Sequence, residues 1–248
     1  MTEFKVVLFD LGSTLIYSKD PWPPIYERAD RELMEVLQQS GIPLEIKPFS
    51  SKLETFLDSY YAARISPIEK TTFSVLKEIL EQKGYRDTPA SVLRTALDAM
   101  YAITQQNWYI EPDAIPALQT LREQGYRLGI VSNTSDDQNV QKLVDRWELR
   151  PFFETIITSA GFGIRKPDRR IFQLALNYFG VAPGQIVMVG DTIEADILGA
   201  NQMGFYSIWI TRRAQIPEEG ELAIQPQAVI STLKEIPDLL ADIQDNSE

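Results

Sequence analysis

The chain predicts a doubly wound parallel α/β sheet with an inserted all-helical unit, and three patterns in its 248 residues carry that prediction. Short β-branched runs such as Val6 to Phe9 end abruptly in polar residues, as buried parallel strands do. From about Pro112 onward such runs alternate with stretches of helical spacing, and repeated βα units imply a sheet covered on both faces. Between Ile16 and Gln106 that rhythm is broken by a long stretch with no convincing strand.

The elements follow in order. Val6–Phe9 is the first strand, and Asp10-Leu11-Gly12-Ser13 stops it. Asp20-Pro21-Trp22-Pro23-Pro24 reads as a rigid linker, because each proline fixes φ and cannot continue a ladder. Ile25, Ala29, Leu33 and Val36-Leu37 recur at helical spacing, as do Phe73, Leu76, Ile79 and Leu80. A helix over 114–124 precedes a strand over 126–131, and a helix over 137–147 a strand over 155–158. A helix over 168–179, a strand over 186–189, a helix over 195–202 and a strand over 206–210 complete the alternation. Residues 231–243 predict a terminal helix, with the acidic tail from Asp242 frayed. The expected organisation is a core of residues 1–16 and 107–248 and a helical unit over 17–106.

Composition excludes several chemistries. There is no His and no Cys, so imidazole relays, thiolate nucleophiles, disulfides and Cys/His zinc sites are out, leaving oxygen-liganded ions. The formal net charge of −11 disfavours nucleic acid, whose affinity rests on clustered Lys and Arg. The N-terminal apolar run is broken by Asp10 and is too short to span a membrane, so a cytoplasmic setting is expected. Monomer and homodimer are both compatible with the sequence.

In doubly wound sheets ligands sit outside the carboxyl ends of the strands. The first strand delivers Asp10, with Ser13 and Thr14 in the following turn; the second delivers Ser132 and Asn133. Arg165-Lys166-Pro167-Asp168 follows the third, and Gly190-Asp191 the fourth, with Glu194 and Asp196 close behind. Carboxylates, a hydroxyl, an amide and cations suit phosphoryl transfer. Asp10 is a candidate carboxylate nucleophile, and Asp10, Asp191 and Asp196 could hold a hard ion such as Mg2+.

The blocks FDLGSTL at 9–15, IVSNTS at 130–135, GIRKPDRRIF at 163–172 and VMVGDTIEADILGA at 187–200 resemble, in order, the four motifs of the haloacid dehalogenase (HAD) superfamily. The helical insertion resembles that family's C1-type cap. The resemblance implies that Asp10 is the nucleophile and Lys166 the cation stabilising a phospho-intermediate. It implies that Ser132 and Asn133 bind phosphate, and that Asp10, the Gly12 backbone carbonyl, Asp191 and Asp196 serve the Mg2+ site. A small phosphorylated molecule is the expected substrate. For Asp196 a second reading is open, in which it only orients Asp191 or Lys166.

One position departs from the family. Its phosphatases usually carry Asp-x-Asp in the first block, the second Asp serving as acid and base, and here that residue is Gly12. Three accounts are compatible with this. One is a Mg2+-dependent phosphatase with another group or water in that role, for which substrates with good leaving groups would suffer least. Another is C–P or C–halogen hydrolysis, the former needing a cap lysine such as Lys47, Lys52 or Lys70. The third is a non-hydrolytic phosphate-sensing or partner-binding protein. Trp22 and Trp108, near the junctions of the insertion, are expected to serve packing; Arg165 beside Lys166 could add a second cation, with a solvated loop arginine the expected reading.

Overall fold

A computed structural model of the protein describes residues 3–43, 67–216 and 223–245. In chain order it contains β1 (Val6–Phe9), β2 (Ile16–Ser18), α1 (Trp22–Gln39), α2 (Thr72–Gln82), α3 (Ala90–Thr104) and β3 (Trp108–Ile110). Then follow α4 (Ala114–Glu123), β4 (Arg127–Ser132), α5 (Asp137–Arg146), β5 (Thr155–Thr158) and α6 (Arg169–Phe179). The chain continues through β6 (Ile186–Gly190), α7 (Leu198–Met203), β7 (Tyr206–Ile210), β8 (Ala228–Ile230) and α8 (Ile236–Asp245).

Six strands form one sheet in the order β5-β4-β1-β6-β7-β8, every pairing parallel. β1 is fully buried on both faces, which explains why Val6 to Phe9 is apolar without alternation. One face packs Val7, Phe9, Leu128, Ile130, Val187 and Val189 against α4, α5 and α8. The opposite face packs Val6, Leu8, Ile186 and Met188 against α6 and α7. After β1 the chain builds β4 and β5 on one side and then crosses to β6 on the other. The reversal opens a crevice at the carboxyl ends of β1, β4 and β6.

Ala29, Leu33 and Leu37 of α1, Val75, Leu76 and Leu80 of α2, and Leu93, Ala96, Leu97 and Met100 of α3 form a separate apolar cluster. This inserted layer meets the core through polar contacts. Arg94 pairs with Asp136 at 2.7 Å, Lys142 with Asp98 at 2.8 Å, and Gln105 donates to Asn139 at 2.9 Å.

Several expectations are corrected. The stretch after Ile16 does carry a strand: β2 pairs antiparallel with β3, at the points where the chain leaves and re-enters the sheet domain. Three residues are too few to display a period of two. The prolines at 23 and 24 do not form a linker but lie in the first turn of α1, where the backbone N–H they lack has no partner to lose. β8 was not anticipated, and the terminal helix begins only at Ile236, after a 3₁₀ turn over Leu233–Glu235. It runs on to Asp245, so the tail is helical past Asp242. The helix expected from 195 is preceded by a five-residue π-turn, Ile193–Ile197.

Candidate active site

Asp10 follows β1 directly and is buried, its N–H donating to Val189 O at 2.9 Å. Ser132 closes β4 and is buried at the same end of the sheet. Asp191 follows β6, and Trp209 Nε1 of β7 donates to its backbone carbonyl at 2.8 Å. Asp10, Gly12, Ser13, Ser132, Asn133, Arg165, Lys166, Asp191 and Asp196 are among the residues that line one cavity of about 280 Å³. All the site residues expected from the sequence therefore converge on one place.

Lys166 is the hub. Its ammonium is essentially enclosed and donates to Asp10 Oδ1 at 2.7 Å, Val131 O at 2.7 Å and Asp196 Oδ1 at 2.6 Å. An ammonium has three protons, so all are committed. Burial alone would lower its pKa, but the charges and hydrogen bonds of Asp10 and Asp196 more than reverse this and hold it raised. The Lys166 backbone is clamped by Asn133, whose Oδ1 accepts from Lys166 N at 2.8 Å and whose Nδ2 donates to Lys166 O at 3.1 Å. Asn133 thus spends its side-chain amide on placing Lys166.

Asp196 is reached through the π-turn, in which Leu198 N donates to Ile193 O. The wider turn accommodates the spacing to Asp191 and swings Asp196 back over the start of its own helix. Its Oδ2 accepts from Thr192 N at 3.0 Å while its Oδ1 holds Lys166. Gly190 makes room for this: a methyl group there would overlap the Asp196 carboxyl. Insertions of this kind recur at functional sites.

Asp10, Asp191 and Asp196 each offer a carboxylate oxygen, and these lie within 4.8 Å of one another. Three carboxylates face one ammonium, a charge imbalance in a poorly solvated place. The Asp191 carboxyl is pushed up to about 7, first by burial, then by the charges of Asp10 and Asp196, against the opposing pull of Lys166. Burial likewise pushes Asp196 up, opposed by Lys166. An oxygen-only donor set with surplus negative charge fits a hard divalent cation such as Mg2+.

Gly12 also lines the cavity. It is absent from the positive-φ residues, whereas its neighbour Ser13 has φ 58°. Among the described residues, a Cβ on residue 12 would meet Trp108 alone, at 3.6 Å to Cη2, which is ordinary van der Waals contact. Trp108 in turn packs on Trp22, ring centroids 5.6 Å apart, and Trp22 stacks on Tyr26. The two tryptophans therefore do pack, and the Trp108 edge walls the space over Gly12. Lys70, one of three lysines considered for Schiff-base chemistry, is paired with Glu78 at 2.8 Å and does not line the cavity; Lys47 and Lys52 lie outside the described residues.

Sequence reasoning missed Glu69 and left Arg165 between a second cation and a solvated loop residue. Arg165 is no solvated loop residue, for its side chain is only 18% exposed, with Nη1 3.7 Å from Glu69 Oε2. Glu69 is itself buried and accepts from Ser159 Oγ at 2.6 Å. These partners are far apart in the chain, and Glu69 stands in no pattern that marks it.

The sequence profile of one family, haloacid dehalogenase-like hydrolase, matches residues 4–204, most of the chain and all four site segments. The protein is a haloacid dehalogenase-like hydrolase. Among relatives of this hydrolase, the glyceraldehyde 3-phosphate phosphatase of Methanothermobacter thermautotrophicus is 29% identical over 94% of this chain and 99% of its own. The ribulose-1,5-bisphosphate 5-phosphatase of Halopiger xanaduensis is 28% identical over 95% and 98%. A HAD phosphatase structure from Thermococcus onnurineus has a TM-score of 0.62 at 26% identity, covering 96% of this chain and 98% of that one. The 2-haloacid dehalogenase structure from Pseudomonas syringae has the same fold, with a TM-score of 0.67 at 23% identity over 97% and 99%. Among the described residues no helix is long and apolar enough to cross a membrane.

Proposed function

We propose that this hydrolase is a Mg2+-dependent phosphatase acting on a small phosphorylated metabolite in the cytoplasm, through an aspartyl-phosphate at Asp10. The observation that carries the reading is the Lys166-centred cluster: a carboxylate at the tip of the central strand, held by one oxygen, beside two more carboxylates and a buried serine. Relatives named as phosphatases align over nearly the whole chain, which supports it. Residues 17–106 would form the cap and 1–16 with 107–248 the core, consistent with the separate apolar cluster of α1–α3.

Asp10, Asp191, Asp196 and the Gly12 carbonyl would hold the cation, which when bound supplies positive charge against the phosphoryl oxygens. Lys166 fixes Oδ1 of Asp10 and leaves Oδ2 to attack phosphorus. The Asp10–phosphorus bond forms as the bond to the ester oxygen breaks. Ser132 and the backbone N–H of Asn133 bind the equatorial oxygens, where the transition-state charge gathers. Water then cleaves the aspartyl-phosphate, releasing phosphate and restoring Asp10. Gly12 offers no proton to the departing oxygen, so esters with stable leaving groups turn over fastest.

Phosphate release from a panel of phosphomonoesters, with and without Mg2+, tests the reading. Asp10→Asn should be silent. Gly12→Asp, whose Cβ would make ordinary contact with Trp108, should raise turnover by about 10²–10⁴. A wild type silent on the whole panel, beside an active Gly12→Asp, would remove natural phosphatase function.

A further inference from the structure

We propose that Arg165 selects substrates carrying a second anionic group, a carboxylate or another phosphate, a few bonds from the phosphoryl group that is removed. This rests on the phosphatase reading and narrows its substrate class.

The cavity around Asp10 adjoins a second of about 490 Å³, and Asn133, Arg165, Lys166, Thr192 and Ala195 line both. Only two of these five are cations. Lys166 spends its three protons on Asp10, Val131 O and Asp196, so it holds the machinery together. Among the described residues, the other cation at the shared wall is Arg165, which lines both cavities.

Arg165 is built into that wall. The buried Glu69 carboxylate lies against its guanidinium, and Ser159 anchors Glu69. The backbone is stitched across the same place: Arg165 N donates to Pro67 O at 2.9 Å, Glu69 N to Gly163 O at 3.0 Å, and Ile68 bridges Ile164. A guanidinium stays charged, carries five donors in a planar fork and matches carboxylate or phosphate oxygens in pairs. Holding it in advance lowers the ordering cost of binding.

Carboxylates line the second cavity. Asp168, paired with Arg170 at 2.9 Å, and Glu194 line the second cavity and not the first. The second cavity thus carries carboxylates, and Arg165 stands where the two cavities meet. A short molecule with two anionic ends suits a cation placed where the two cavities meet.

The test compares matched esters with Mg2+ present: phosphoglycolate against ethyl phosphate, and 1,3-propanediol bisphosphate against propyl phosphate. The wild type should favour the anionic member of at least one pair by about 10- to 100-fold in kcat/KM, chiefly through KM, as expected for a charged hydrogen bond; which pair responds tells carboxylate from phosphate. Arg165→Met, which keeps the apolar stem, should erase that ratio, and Arg165→Lys should restore part of it. Glu69→Gln should raise KM for the anionic member more than for its neutral match. Equal wild-type rates within both pairs overturn the inference, as does an Arg165→Met loss that falls equally on both members. A wild type that hydrolyses nothing, in this set or the wider panel, overturns the phosphatase reading itself.

Discussion

Gly190 illustrates how much of the site depends on an atom that is missing. A Cβ there occupies the place of the Asp196 carboxyl, so Gly190→Ala must push Asp196 off Lys166 and Thr192. Because Gly190 is the last residue of a fully buried strand, the sheet should survive. The expected outcome is a folded protein whose Mg2+ affinity and phosphate release both fall at least about tenfold, read by calorimetric titration and a turnover assay. Protons compete for the same place. Asp191 must be ionised to ligate a cation, and its carboxyl is raised to about 7 by burial and by neighbouring carboxylates. Lowering the pH through that value protonates it and weakens the metal, so the rise in Tm on adding Mg2+ should be larger at pH 8 than at pH 6. A rise independent of pH would count against Asp191 as a ligand.

At the scale of elements, α7 lies close on α6 because Gly199 has no side chain; a methyl group there would overlap the Phe172 ring. Phe172 is fully buried and packs edge-on to Phe205, so it has nowhere to go. Gly199→Ala should therefore cost about 1–3 kcal/mol in urea unfolding, despite alanine's better helix propensity. Legibility divides along similar lines. β1 was readable to the residue, because a strand buried on both faces is apolar along its whole length and Asp10 ends it. β5 and β7 were readable from short runs rich in β-branched and aromatic residues. β2, β3 and β8 have three residues each and are defined by a partner strand, which local pattern does not contain. The π-turn before α7 was equally hidden, since an extra residue in a turn leaves the apolar spacing nearly unchanged. The convergence of Asp10, Ser132, Lys166 and Asp191 was legible because strand ends in a parallel sheet share one edge. The Glu69–Arg165 contact was not, because it joins the inserted segment to a core loop and no sheet rule brings them together.

Across the whole molecule, the carboxy-terminal segment is tied back to the start of α4 by charge. Arg212 bonds Asp113 Oδ1 at 2.8 Å and Glu111 Oε2 at 2.6 Å, while Asp113 Oδ2 accepts from Leu233 N at 2.9 Å. Glu111 is 2% exposed and shares its second oxygen with Arg213. Removing Arg212 leaves a buried carboxylate half-compensated, so Arg212→Met should destabilise by about 1–3 kcal/mol at pH 7. The pH dependence has a definite sign. Burial pushes the Asp113 carboxyl up, but Arg212 outweighs it and the net pKa is lowered. A depressed carboxyl stabilises the fold above its unfolded pKa and loses that contribution as pH falls. The gap between wild type and Arg212→Met in urea midpoints should thus narrow as the pH drops through the carboxylate range.

The hydrogen bond from the Trp209 indole to the Asp191 carbonyl makes the site optically visible. Trp209 is 6% exposed beneath the acidic cluster, so its emission belongs to a shielded ring polarised by whatever charge settles a few atoms away. Adding Mg2+ to the unlabelled protein should shift that emission, and Trp209→Phe should abolish most of the change. Occupancy could then be followed by light alone, before any substrate is known.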